Sequence, residues 1–312
     1  MNRRSLLRRF RNGRDVGTYT KIKFEIMGST DLGKEKISFE TDIHYLDIGE
    51  GETILLVHGI GQSLYTWRNN VDYFVRHGYR VIAPDLAGFG YSGHPNIYYT
   101  AEEYAIILKA FMDSIKLKKA HIAAFSAGCL SAVCLAAAYP KRVGKLILIS
   151  PGIPNPGYPL GMKLASTWLG EKIFKLLFSE TYVKSALQSM YFDASQITGD
   201  VLENYCAPFY SRDVRETLCL CMKHFDDSHT RSLLKSVKSE TLVLSGTDDR
   251  LHTEEMIKTY ASGIIGARYL KIRNCAHLLH EEKHARFNDE VNKFLKKEER
   301  EEFAVLYRRY QR

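Results

Sequence analysis

Ala120-His121-Ile122-Ala123-Ala124-Phe125-Ser126-Ala127-Gly128 is an apolar run that ends on a serine flanked by small residues. A continuous apolar run of this length reads as a strand buried on both faces, the kind that a parallel sheet requires. Leu130 to Ala138, rich in small residues, reads as a helix that follows at once. A serine at so sharp a strand-to-helix turn has its hydroxyl pushed out above the sheet edge, and the turn needs small residues two before and two after it. Ala124 and Gly128 hold those places, so the motif is A-x-S-x-G, with a methyl group where glycine would leave more room.

The same rhythm extends to either side. Thr53-Ile54-Leu55-Leu56-Val57, Arg80-Val81-Ile82-Ala83 and Lys145-Leu146-Ile147-Leu148-Ile149 are further short apolar runs, and helical stretches lie between them. One is Ala101 to Ile115, with Tyr104, Ile107, Leu108 and Phe111 on one face. Strand alternating with helix means an α/β sheet with right-handed crossovers. Ahead of it, Lys21-Ile22-Lys23-Phe24-Glu25-Ile26 and Ile37-Ser38-Phe39 alternate apolar and polar residues around turn-formers from Gly28 to Gly33, which predicts a leading antiparallel hairpin.

After Ser150 the alternation stops. Four of the chain's eight prolines and three glycines fall between Pro151 and Gly161, a density that no helix or central strand tolerates. From there to about Arg231 the chain reads as helices rich in aromatic residues: Trp168, Phe174, Phe178, Tyr182, Tyr191, Phe192, Phe209 and Tyr210. This stretch is expected to be an inserted helical cap. The rhythm resumes with Thr241-Leu242-Val243-Leu244-Ser245, a helix near Glu254 to Ala261, a strand from Ala267 to Ile272 and a helix from about His277. The expected organisation is a basic N-terminal tail (1–17), an α/β core (18–151 and 232–297), the cap (152–231) and a charged C-terminal tail (298–312). Its core is a mostly parallel, doubly wound sheet.

Two more strand ends carry what a reactive serine needs. Leu242 to Ser245 runs into Gly246-Thr247-Asp248-Asp249, and Tyr269 to Ile272 into Arg273-Asn274-Cys275-Ala276-His277. Carboxylate and imidazole thus sit at the C-terminal edges of parallel strands, where the active-site loops of such sheets gather. Either Asp248 or Asp249 meets the need for an acid. His280 and His284 also follow the last strand, but on the helix beyond the loop they are expected to be solvated. His58 is expected to support the loop after the first core strand. The lone Cys219-x-Cys221 pair is a poor zinc signature. The six cysteines read as buried free thiols of a reducing compartment.

The order Ser, Asp, His is that of the α/β-hydrolase triad. The chain resembles that superfamily over nearly all of residues 36–297. His58-Gly59-Ile60-Gly61 is similar to its H-G-x-G oxyanion loop, and Pro84-Asp85-Leu86-Ala87-Gly88-Phe89-Gly90-Tyr91-Ser92 to its D-x-x-G-x-G-x-S segment. Asp249 falls at the third position after Gly246, the family's usual place for the acid, and His277 followed by Glu281, Phe287-Asn288, Val291 and Phe294-Leu295 matches its closing helix. The resemblance implies Ser126 as nucleophile, His277 as base, Asp249 as orienting acid, and the backbone N–H groups of Ile60 and Ala127 as oxyanion hole, with no cofactor and no metal.

The expected activity is that of a serine hydrolase cleaving a small apolar carboxylic ester, a 3.1.1 carboxylic ester hydrolase. Thioester hydrolysis and carbon–carbon bond hydrolysis of a β-diketone-like substrate use the same constellation and stand as alternatives. From another class, a non-catalytic ligand sensor could be built on this fold. The cap's aromatic residues point to an apolar acyl or aryl substrate. Gly59-x-Gly61 also invites a dinucleotide reading, but position 64 is Leu where a third glycine is needed. Relatives with an Asp nucleophile, such as the haloalkane dehalogenases, are disfavoured by Ser126.

The chain is 312 residues long with a net charge of +8, and that charge sits at its ends. Met1 to Arg14 has six Arg and no acid, Lys293 to Arg312 has seven basic residues against four Glu, and residues 15–292 carry −1. A nucleic-acid partner would call for a basic stripe on the folded body, so none is expected. The start has no apolar stretch long enough for an export signal, so a cytoplasmic location is expected. Residues 1–14 are expected to be a solvated tail. The sharper alternative is an amphipathic arm, Leu6, Leu7 and Phe10 on one face, making weak contact with an anionic membrane or serving as an organellar address.

Overall fold

Strand β1 (Thr18–Thr30) and strand β2 (Gly33–Ile48) pair antiparallel, with Ile22, Phe24 and Ile26 turned inward and the intervening lysines and glutamate outward. That alternation is what a hairpin with one face on the core demands. In the computed structural model, which describes residues 3–11, 16–30, 33–153, 172 and 179–296, β2 leads antiparallel into an otherwise parallel sheet. The other strands are β3 (Glu52–Val57), β4 (Tyr79–Pro84), β5 (Ala120–Phe125), β6 (Val143–Ile149), β7 (Thr241–Gly246) and β8 (Arg268–Ile272). Their order across the sheet is β1-β2-β4-β3-β5-β6-β7-β8, with every contact beyond β4 parallel.

The central strands are the continuous apolar runs of the sequence, and Ile54 to Val57, Ile122 to Ala124 and Leu146 to Ile149 are wholly buried. Helix α1 covers Arg3–Arg11, α2 Val71–Arg76, α3 Ala101–Ser114 and α4 Gly128–Ala138. Helix α4 is apolar all round, and Cys129, Leu130, Ala132, Val133, Leu135 and Ala136 are buried, as befits a helix inside the molecule rather than on it. All six cysteines are buried free thiols.

Between β6 and β7 the described residues hold helices and no strand: α5 (Glu180–Met190), α6 (Gly199–Cys206), α7 (Arg212–His224) and α8 (Ser228–Leu233). Trp168, Phe174, Phe178, most of the proline-rich run and residues 297–312 lie outside the described residues. After β7 come α9 (Glu254–Gly263), α10 (Leu279–Glu282) and α11 (His284–Lys296).

The N-terminal segment departs from the expected solvated tail. It is helical over Arg3–Arg11, with Phe10 buried at 3% exposure and Leu6 and Leu7 half-buried against the core. Phe10 shares a small cavity with Val16, His44, Leu64, Tyr65 and Tyr91. A stripe of three apolar side chains on one helical face needs a surface to cover, and here the protein supplies it. The face that a membrane contact would use is turned inward. Among the described residues no helix is long and apolar enough to cross a membrane.

Candidate active site

Ser126 follows β5 directly, and its backbone takes φ +53°, in the left-handed region that side-chain-bearing residues seldom occupy. Its N–H is tied to Ile149 O at 2.8 Å, and its carbonyl already accepts from Cys129 N at 2.9 Å as α4 begins. So tight a turn leaves no room beside it. A Cβ on Gly128 would stand 2.3 Å from the His58 carbonyl oxygen, which explains glycine there. The methyl group of Ala124 is accommodated within the buried strand.

The turn delivers the serine hydroxyl to the loop after β8. Ser126 Oγ lies 2.9 Å from His277 Nε2, and His277 Nδ1 lies 2.8 Å from Asp249 Oδ2. The second carboxylate oxygen of Asp249 accepts the backbone N–H of Leu251 at 2.9 Å and of His252 at 3.0 Å. Burial of Asp249 works against its charge, but the His277 ring, through charge and hydrogen bond, and His252 outweigh it and hold the carboxyl well below the usual carboxylate range. Asp248 takes no part: it is held by the Thr247 hydroxyl at 2.6 Å, outside the chain of contacts. An ionised acid fixing an imidazole against a serine hydroxyl can move that hydroxyl's proton during attack on a carbonyl.

Ile60 and Ala127 both line the cavity at Ser126. The loop bearing Ile60 is braced from behind. His58 Nδ1 donates to Gly59 O at 2.8 Å while its Nε2 accepts Leu86 N at 2.8 Å, and burial lowers its pKa, so it is a neutral strut. Asp85, fully buried, accepts from Leu64 N at 2.6 Å, from Tyr91 N at 3.0 Å and from His44 Nδ1 at 2.7 Å. Gly90 turns beside that carboxylate at φ +55°, where a Cβ would lie 2.1 Å from its carbon. The D-x-x-G-x-G-x-S segment thus serves as a brace for the loop after β3 and supplies none of the reacting groups.

The cavity above Ser126 has a volume of about 120 Å³. Its upper wall is apolar, formed by Val183, Leu187 and Met190 of α5, Phe209, and Leu218 and Met222 of α7. Of the described aromatic residues of the expected cap, Tyr182 and Phe209 line it, whereas Phe192 and Tyr210 are 46% and 60% exposed. No lysine or arginine lines it among the described residues.

His280, expected to be solvated, is instead fully buried, because α10 turns back beneath the site rather than away from it. Its Nε2 meets the Thr66 hydroxyl at 2.8 Å, and its ring packs between Trp67 and Phe125, with centroids at 4.7 and 4.5 Å. His284 is exposed. Beside His280, the buried Glu281 carboxylate meets Arg68 Nη1 at 2.6 Å, the Thr66 hydroxyl at 2.5 Å and the Tyr191 hydroxyl at 2.5 Å, and accepts from the Tyr205 hydroxyl as well. Glu282 accepts from Phe192 N and Asp193 N with one oxygen and from Ala276 N with the other. Two consecutive glutamates therefore tie the helices over the site to the loop that carries His277. Sequence reading missed Arg68, Tyr205 and His252; for His252 the Asp249-x-x-His252 spacing is the available signal.

Burial holds His252 and His280 neutral by lowering each to about 3. An unfolded histidine titrates near about 6.5. Below that pH the unfolded chain takes up protons that the folded one refuses, so the stability these two rings contribute is whole above about pH 6.5 and is lost as pH falls toward about 3. Up to about 4 kcal/mol should go between about pH 6.5 and 5 from the two together. The melting temperature is expected to fall over that range, less steeply in His280→Gln. A melting temperature constant from about pH 7 to about pH 5 would contradict buried neutral rings.

A parallel sheet with a positive-φ serine after β5, an acid after β7 and a histidine after β8 defines the class, and the family model for the alpha/beta hydrolase fold matches residues 52–284. The chain belongs to that family and is a hydrolase of this fold. It is 31% identical over 268 residues to a 2-hydroxy-6-oxononadienedioate/2-hydroxy-6-oxononatrienedioate hydrolase of Paraburkholderia phymatum, covering 82% of this chain and 91% of the relative. It is 29% identical to a 2-hydroxy-6-oxo-6-phenylhexa-2,4-dienoate hydrolase of Comamonas testosteroni, covering 81% and 91%. Among solved structures it is similar to an enol-lactonase from Burkholderia xenovorans, with TM-score 0.69 and 26% identity, covering 82% of this chain and 97% of that one.

Proposed function

We propose that the chain hydrolyses a carbonyl compound through an acyl-enzyme on Ser126, and that the bond it breaks is the carbon–carbon bond beside a ketone. The observation that carries the first half is the unbroken contact from Ser126 through His277 to Asp249 at the floor of an apolar cavity. What supports the second half is the likeness to hydrolases named for 2-hydroxy-6-oxo dienoates.

His277 takes the proton of Ser126 as Oγ attacks the ketone carbon, and the N–H groups of Ile60 and Ala127 hold the oxyanion, each donor contributing about 3–4 kcal/mol in comparable sites. The dienol first ketonises by proton exchange with water, and when the oxyanion collapses, the carbon–carbon bond electrons pass to the carbon now conjugated with the far carbonyl. That carbon takes the proton from His277. A water deprotonated by the same ring then releases the acyl group as an acid. A cavity of about 120 Å³ is somewhat smaller than the roughly 150 Å³ that holds benzene, so it accepts a short alkyl acyl group most readily.

A specific observation favours a second reading, carboxylic ester hydrolysis. A dienedioate carries two carboxylates, and the described lining offers no cation to meet them. Turnover of 2-hydroxy-6-oxo dienoates with a methyl or phenyl group at the ketone, beside p-nitrophenyl esters and acyl thioesters of matched acyl size, decides between the bonds. The expected result is a kcat/KM for the dienoates at least about tenfold above the esters, a difference of about 1.4 kcal/mol in transition-state binding. The reverse order would make the chain an esterase, and absence of fluorophosphonate labelling at Ser126 would make it a non-catalytic binder.

A further inference from the structure

Asp249, His252 and His277 offer a carboxylate oxygen and one nitrogen from each ring, all within 4.8 Å of one another. The turn after β7 carries both the acid and the second imidazole, which stands edge-on to His277 with ring centroids 4.5 Å apart and planes at 77°. His252 is 1% exposed. Its Nδ1 faces the Ser150 carbonyl oxygen at 2.9 Å, so that nitrogen carries the proton and Nε2 the lone pair. Among the described residues this buried Nε2 has no hydrogen-bond partner. Proton transfer from Ser126 to His277 makes no use of it.

We propose that the trio is an inhibitory site for a divalent transition-metal ion of the zinc type, held by the Asp249 carboxylate and the His252 and His277 imidazoles. Two imidazoles and one carboxylate are a donor set that zinc and cobalt accept. Around a tetrahedral ion with bonds of about 2.0–2.2 Å, ligand atoms stand roughly 3.3 Å apart. Asp249 and His277, at 2.8 Å, need open by only about half an ångström, while the His252 ring swings inward.

The ion takes the lone pair of His277 Nδ1, so that ring's single proton moves to Nε2 by exchange with water, and no proton is gained or lost overall. With the proton on Nε2, the ring can donate to Ser126 Oγ but cannot accept from it. The hydroxyl then has no base, and the ion blocks turnover without touching the cavity. This consequence rests on the proposed role of Ser126 and His277, whereas the binding of the ion does not.

The test separates the two. In the full-length Ser126→Ala protein, competition with a chromophoric zinc indicator should show one Zn²⁺ per chain, and adding His252→Val should weaken it at least about tenfold, as loss of one of three ligands demands. The backbone N–H that His252 gives to Asp249 is kept by valine and by phenylalanine, and His252→Phe, which keeps a ring there, serves if valine disturbs folding. In the Ser126 protein, half-inhibition of turnover should need at least about tenfold more Zn²⁺ once His252 is replaced, and a chelator should restore full rate. Zinc binding that is unchanged by His252 replacement overturns the proposal, as does a thiolate charge-transfer band in the Co²⁺ complex. Zinc binding lost with His252 in a protein that never labels or turns over would overturn the proposed reaction and leave the metal site standing.

Discussion

Ser126→Ala is expected to lower kcat by about 10⁵–10⁶-fold, or roughly 7–8 kcal/mol of transition-state stabilisation. Few substitutions in the chain should cost so much activity for so little structure. The strained φ of +53° is set by the turn, and the Cβ already present is the one alanine keeps. The hydroxyl makes one contact of consequence, with His277 Nε2, and its removal leaves the β5–α4 junction and its backbone bonds to Ile149 and Cys129 in place. The melting temperature should therefore move by no more than a few degrees while fluorophosphonate labelling disappears. Substrate should still bind in the apolar cavity, and the residual rate above water belongs to the backbone donors and to binding alone. Turnover within about a hundredfold of the unaltered protein would remove Ser126 as the nucleophile.

Much of this architecture is legible in the residues because each strand has one environment to satisfy. Strands buried on both faces must be continuous apolar runs, and strand and helix readings separate where short runs such as Ile54 to Val57 or Leu146 to Ile149 are bounded by charged residues, Gly or Pro. The hairpin strands face water on one side and alternate accordingly. What could not be read is the destination of small amphipathic faces. Leu6, Leu7 and Phe10 announce a face to be covered, but whether a bilayer, a partner or the chain's own hairpin and β3 loop covers it depends on contacts between residues far apart in sequence. Phe10 shares a cavity with Leu64 and Tyr65, more than fifty positions away.

The site divides along the same line. Ser126, Asp249 and His277 end strands whose order is fixed by the sheet, so a reading of strand ends brings them to one edge, and the structure brings them into contact. Helical periodicity after His277 directs His280 outward, whereas α10 is a single turn tucked under Trp67 and Phe125, too short for that periodicity to govern it. Arg68 has no local signature at all, and Glu281, although it fits the family's closing segment, gives no sign in the sequence of the partner it meets. Their pairing at 2.6 Å, with Tyr191 and Tyr205 closing over it, exists because the segment after β3, the helices over the cavity and the segment after β8 converge on one buried spot.

Adjacent carboxylates pose the sharpest question that sequence left open, and exchanging each for its amide answers it. Asp249→Asn is expected to lower kcat by about 10⁴-fold, the magnitude seen when the orienting acid of such a triad is made an amide in another protein. Asn at 249 retains Oδ1 as acceptor for Leu251 and His252, so the turn persists. Its amide N–H₂ would face His277 Nδ1 in place of Oδ2, forcing that nitrogen to accept and the proton onto Nε2. The ring then donates to Ser126 when it should accept, and it has lost the negative charge that stabilises it as an imidazolium. Asp248→Asn leaves all of this intact, since its carboxylate meets the Thr247 hydroxyl on the exposed side of the turn, and kcat should stay within about threefold. The same asymmetry has an acid limb. Asp249, held below its ordinary range by His277 and His252 against the cost of burial, contributes stability that is present above about pH 3.9 and is lost as pH falls toward its folded value. Asp249→Asn should flatten that last step of acid unfolding. Both readouts following Asp248 instead would move the orienting carboxylate one residue along the turn and require the His277 loop to sit differently over β7.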